Sequence, residues 1–134
     1  MRYFVALLVA LVLNASANLL MKVGMKEVEA DGGVLRDGVF SAIRTVVTSP
    51  PLIIGLLCFA LNAAFYMYAL QSRSLKISIA YPIMVGGGFA LIAVIARVHP
   101  ALSERLGVAQ TVGVILVFAG IILIATQMDH QTEI

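Results

Sequence analysis

Asn14 and Asn18 stand four residues apart, so on a helix they stack on one face, with Leu7, Leu11 and Met21 above and below. Asn62 lies near the middle of a second apolar run. A primary amide in lipid must find hydrogen-bond partners, which leaves two uses. One is bonding between helices, at roughly 0.6–2 kcal/mol per bond. The other is a polar cavity in which Asn14, Asn18 and Asn62 hold a substrate headgroup without carrying charge. Tyr66, Tyr68 and Tyr81 offer phenols that line such a cavity or pack beside it.

A third apolar run carries Ile79-Ala80-Tyr81-Pro82 followed by Gly86-Gly87-Gly88. Pro82 removes a backbone bond and crowds the preceding turn, while three glycines lower the cost of local distortion, so this helix is expected to bend. Discontinuous helices near the midplane are how transporters expose backbone groups and change shape. Close packing through small residues is the equally weighted reading of Gly86, Gly87 and Gly88. Gly113 and Gly120, two helical turns apart, open a flat groove on one face of a fourth run. A 134-residue chain encloses little cavity alone, so that groove is expected to serve a dimer interface.

What is missing narrows the chemistry further. No Asp, Glu, Lys or Arg falls near the middle of any apolar run. Pumps and proton-coupled exchangers need an intramembrane group that changes charge. His99 sits beside Pro100 and His130 near the C-terminus, neither with an acid and nucleophile arranged around it, and Cys58 has no neighbouring His. No catalytic residues, no metal site and no cofactor are expected.

These residues are positioned by a chain that is 61% hydrophobic and 12% charged, with a mean hydropathy of +1.03. Soluble domains carry about 25% charged residues, so lipid is the indicated solvent. A net charge of +2 spread along the chain excludes the basic face that nucleic-acid binding needs. Windows of about 20 apolar residues predict four spans, over about 3–23, 51–70, 77–98 and 108–126, in one membrane domain covering 1–134. The fold class is therefore all-α integral membrane. Pro50-Pro51 suits a first helical turn, and Gln127 to Ile134 reads as a short disordered tail.

The first connection is long. Over about 33–48 an amphipathic insert is expected, with Leu35, Val39, Ala42, Ile43 and Val46 apolar and Asp37, Ser41, Arg44 and Thr48 opposite. Phe40 sits on the polar side of that pattern. The insert either lies in the interface, flanking a substrate entrance, or is a packed loop that shapes the bilayer boundary. Arg2, the run from Phe4 to Leu13 and Ala15-Ser16-Ala17 imitate a cleaved secretory signal, but the apolar run resumes at Leu19-Leu20-Met21 and is long enough to span. Six of the nine Lys and Arg fall in the first and third connections, so both termini are expected to face away from the cytoplasm, with mixed insertion the alternative at a difference of three.

Several short stretches resemble the small multidrug resistance family and, more broadly, the EamA-like drug/metabolite transporter superfamily of four-helix modules. Leu20-Met21-Lys22 closes the first run as in that family, and Ile79-Ala80-Tyr81 matches its cavity tyrosine motif. Gly86 and Gly88 match the glycines that let the third helix bend, Glu104-Arg105-Leu106 the lead-in to the last helix, and Gly113 and Gly120 the dimerisation glycines. Multidrug members carry a glutamate at the position of Asn14 and a tryptophan at that of Met84, so the resemblance does not carry over proton-coupled export of cationic drugs. Ile79 to Met84 also resembles the paired subunits that flip undecaprenyl-linked aminoarabinose, a branch without the glutamate.

The resemblance implies a multi-pass protein of the bacterial inner (plasma) membrane that works by alternating access around a cavity of the first three spans. Its partners would be the lipid bilayer, a second copy or a related four-helix protein, and a small-molecule or lipid-linked substrate. Asn14, Asn18, Asn62, Tyr66, Tyr81 and Met84 would bind that substrate, and Pro82 with Gly86, Gly87 and Gly88 would form the hinge. A small multidrug exporter and a non-transporting assembly or regulatory subunit are the alternative expectations.

Overall fold

The computed structural model describes residues 1–33, 37–99 and 107–130, the side chains of 128–130 excepted. The described residues form five helices: α1 Arg2–Ala30, α2 Val39–Thr48, α3 Pro50–Ala69, α4 Ile77–Val98 and α5 Val108–His130. Arg2–Ala30, Pro50–Ala69, Ile77–Val98 and Val108–Gln127 are long and apolar enough to cross a membrane. The chain is an all-helical protein with the makings of a multi-pass membrane protein.

Three boundaries differ from the sequence expectation, each for a local reason. α1 runs seven residues beyond the end of its apolar window, because Lys26, Glu27, Glu29 and Ala30 are good helix formers that continue it into water. It stops where two glycines allow left-handed backbone: Gly32 and Gly33 have φ of 108° and 94°. Their N–H groups donate to Glu29 O and Val28 O at 3.1 and 3.0 Å, which satisfies the last carbonyls in a Schellman arrangement. α5 continues to His130, where a disordered tail was expected from Gln127; residues 131–134 lie outside the described residues. The insert helix begins at Val39, and the expected contribution of Leu35 falls outside the described residues, as do Glu104, Arg105 and Leu106.

At 100° per residue, Val39, Phe40, Ala42, Ile43, Val46 and Val47 share an arc of about 160° on α2, with Arg44, Thr48, Ser41 and Thr45 opposite. Phe40 is therefore not misplaced on the polar side. It borders Val47, about 20° away, and closes the apolar arc.

The four long helices stand in an open row, in the order α3, α1, α4, α5, with α2 against α3. α1 and α3 run antiparallel. The rings of Tyr3 and Tyr68 meet at 5.4 Å near one end, and Gly24 abuts Leu52 near the other. On α1 the buried residues Ala6, Ala10, Ala17, Gly24 and Val28 recur at intervals of four and seven, which gives a ridge of mostly small side chains for close approach. α4 runs parallel to α1, and α5 returns antiparallel along α4. One core joins the row: Ala6, Leu7 and Ala10 of α1, Ala69 of α3, Leu75, and Ile79, Ala80, Ile83 and Met84 of α4. Tyr66, Ile121 and Ile124 pack on its edge. None of the apolar window of α5 is buried, because among the described residues α4 is its one extensive neighbour.

Candidate functional site

α4 is continuous through Pro82 and the three glycines. Pro82 leaves Ser78 O without its helical donor, one turn from the N-terminus, where the loss interrupts least. Each glycine seats a side chain of a neighbouring helix. A Cβ at Gly86 would fall 2.6 Å from Ile121 Cδ1, one at Gly87 would overlap Leu11 Cδ1, and one at Gly88 would fall 2.9 Å from Asn14 Nδ2. The three glycines thus act as a notch into which α5 and α1 dock, the close-packing reading of this motif.

Asn14 is half-buried in that notch. Asn18 is exposed one turn away and donates through Nδ2 to Asn14 O at 2.8 Å, with Asn14 Oδ1 at 3.4 Å. The pair bonds along α1 rather than between helices, because spacing of four brings one amide back over the preceding turn. Met84 is buried among Ala80 and Ile83 in the core, so its side chain is occupied in packing. Tyr81 is 54% exposed.

Asn62 and Tyr66 behave differently. Asn62 is 4% exposed, and its Oδ1 is buried with no hydrogen-bond partner. Tyr66 OH is buried and likewise has none. They stand four residues apart, so the two groups share one face of α3. Tyr66 lies within electrostatic reach of Tyr81 across to α4. By the rise of a helix, Asn62 lies about 10 Å inside the end of α3. An unsatisfied buried acceptor or hydroxyl costs about 1–3 kcal/mol. Two of them, adjacent and on one face, make a ready pair of contacts for a donor-bearing group such as a hydroxyl or amine.

All four tyrosines of the chain gather at one end of the row: Tyr3 at the start of α1, Tyr66 and Tyr68 at the end of α3, and Tyr81 at the start of α4. The Arg2 guanidinium lies 5.3 Å from the Tyr3 ring centre. Phenols at this depth suit a membrane–water boundary, where the ring stays apolar and the hydroxyl stays wet. Tyr68, 41% exposed, is in keeping with such a boundary, whereas the buried hydroxyl of Tyr66 is not.

Gly113 and Gly120 meet open space where a Cβ would stand. They lie on the sparsely packed helix at the end of the row. Gly55 and Gly24 also matter to packing. A Cβ at Gly55 would fall 3.0 Å from Met21 Cγ and 3.2 Å from Ala17 O, and one at Gly24 would fall 2.6 Å from Leu52 Cγ. A pair of glycines set among large apolar residues was the available signal, but their matching depends on two helices lying side by side. Among the described residues no three His, Cys, Asp or Glu cluster to hold a metal ion, and Cys58 is half-buried and free.

Comparison with known proteins adds one relative. The chain is 34% identical over 77 residues to an uncharacterized protein, y4nH, of Sinorhizobium fredii (strain NBRC 101917 / NGR234). The match covers 58% of this chain and 62% of that protein, so it spans less than two thirds of the relative. No family model and no solved structure matches.

Proposed function

We propose that this chain is a transporter of the drug/metabolite type in a bacterial inner membrane. It works as a dimer and moves a small polar metabolite or a lipid-linked headgroup by alternating access. The observation that carries this reading is the pair of buried, unpartnered polar atoms, Asn62 Oδ1 and Tyr66 OH, on one face of a membrane-length helix. Lipid offers such atoms no partner, so a polar passenger or a water it displaces is the natural one. The open row supports dimerisation, since α5 leaves most of its surface to something outside the protomer. Residues 3–21, Pro50–Ala69, 77–96 and Val108–Gln127 contain no ionisable Asp, Glu, Lys or Arg, which favours movement without proton exchange.

Reconstitution in liposomes tests the proposal. A panel of neutral polyols, amines and fluorescent lipid-linked headgroups is followed by flux, with a pH dye enclosed. Protein-dependent movement without a proton flux is the expected result, and obligatory proton exchange sinks it. Transport that appears only when a second small membrane protein is added would favour the subunit reading instead.

A further inference from the structure

The geometry points to a phospholipid site on α2 and α3, with an acyl chain in the groove between them and the lipid phosphate on Arg44. This site is separate from Asn62 and Tyr66 and stands whether or not the chain transports. Val46 and Val47 of α2 and Ile53, Leu56, Leu57 and Ala60 of α3 line a groove of about 360 Å³ with apolar side chains alone. The groove is continuous with a surface that must already meet acyl chains, because Ile53, Ile54, Leu56 and Leu57 are exposed on a span-length helix. Beside it, α2 leaves Val39, Phe40, Ile43 and Val47 exposed; Phe40 is 84% exposed. An apolar arc of that size facing water would be costly, whereas at the headgroup–acyl boundary it is stabilising.

The lipid class follows from what borders the arc. Arg44 lies one turn before Val47 and Thr48 and next to Phe40 on the wheel, with its side chain exposed. Thr48 Oγ1 is occupied by Arg44 O at 2.9 Å, so the guanidinium is the polar group of α2 left at this edge to meet a headgroup. The nearest acid along the chain is Asp37, seven residues before it and outside α2. A guanidinium at the headgroup level takes a phosphate bidentately and favours lipids of net negative charge.

The chain contains no tryptophan, so Phe40→Trp supplies a single reporter. In liposomes of the full chain, phospholipids brominated on the upper acyl chain should quench its fluorescence, and Ser41→Trp, on the polar arc, should be quenched far less. Native mass spectrometry of protein released from mixed phosphatidylglycerol and phosphatidylcholine should show a retained phosphatidylglycerol. Arg44→Gln should lower that preference by about five-fold, and Ala60→Phe, which fills the groove, should lose the retained lipid. Helicity measured alongside shows that each variant is folded. Equal quenching at both tryptophan positions, an unchanged preference in Arg44→Gln or full retention in folded Ala60→Phe each overturns the site.

Discussion

Gly88 of α4 brings Asn14 of α1 so close that a Cβ there would stand 2.9 Å from the Asn14 amide nitrogen. The Gly88→Ala protein must turn that amide aside, with an overpacking cost near the lower end of about 1–3 kcal/mol. Asn14→Ala in the same background should remove most of the penalty. A double-mutant cycle on unfolding in detergent measures the coupling. Additive effects would mean that the two residues do not set the α1–α4 distance.

Gly55→Ala should be worse tolerated than Gly88→Ala. Its Cβ would meet backbone as well as side chain, with Ala17 O and Met21 N both at 3.2 Å. Backbone atoms in the middle of a helix cannot rotate away, so α1 and α3 must separate. Thermal unfolding of the two variants side by side should place Gly55→Ala lower; the reverse order would contradict the tight α1–α3 seam.

Asn62→Leu and Tyr66→Phe remove the unpartnered polar atoms on this face of α3 while keeping most of the volume. Both should leave stability unchanged or raise it by about 1–3 kcal/mol, and both should reduce flux in liposomes. That combination separates a ligand contact from a structural one. Loss of stability would show that the fold itself satisfies these groups.

Asn18→Ala removes only an exposed bond back to its own helix. Its unfolding midpoint should move little, within the ±0.5 kcal/mol usual for surface changes. A larger loss would place Asn18 in contact with something the single protomer does not provide.

Gly113→Leu and Gly120→Leu add side chains where nothing lies within 4 Å. The protomer should keep its helicity, whereas the population of dimer measured by cross-linking in membranes should fall. Unchanged cross-linking would remove α5 from the interface.

The membrane-length helices were legible because their signal is composition over a long window. Residues 77–98 can be bounded from sequence alone, since Lys76 and Arg97-Val98-His99-Pro100 punctuate them. The far end of α1 was less legible, because hydropathy falls at Val23 while helix propensity does not. Gly32-Gly33 held the stop signal, which is conformational rather than apolar. α2 was legible in type, and Phe40 belongs to its apolar arc because seven residues bring it within about 20° of Val47, a relation independent of where the helix starts.

The candidate site divides in the same way. The sequence by itself determined that the buried polar groups are neutral and which helices carry them, because residue type and spacing need no third dimension. Only the tertiary structure decided which of them are satisfied. Asn14 and Asn18 were the prominent pair, and they bond to one another along α1. Asn62 and Tyr66 have the same spacing, and they are left buried without partners. Whether an amide faces its own helix, a glycine notch or an empty acceptor position depends on the neighbour across the seam, and periodicity along one chain carries no information about that neighbour.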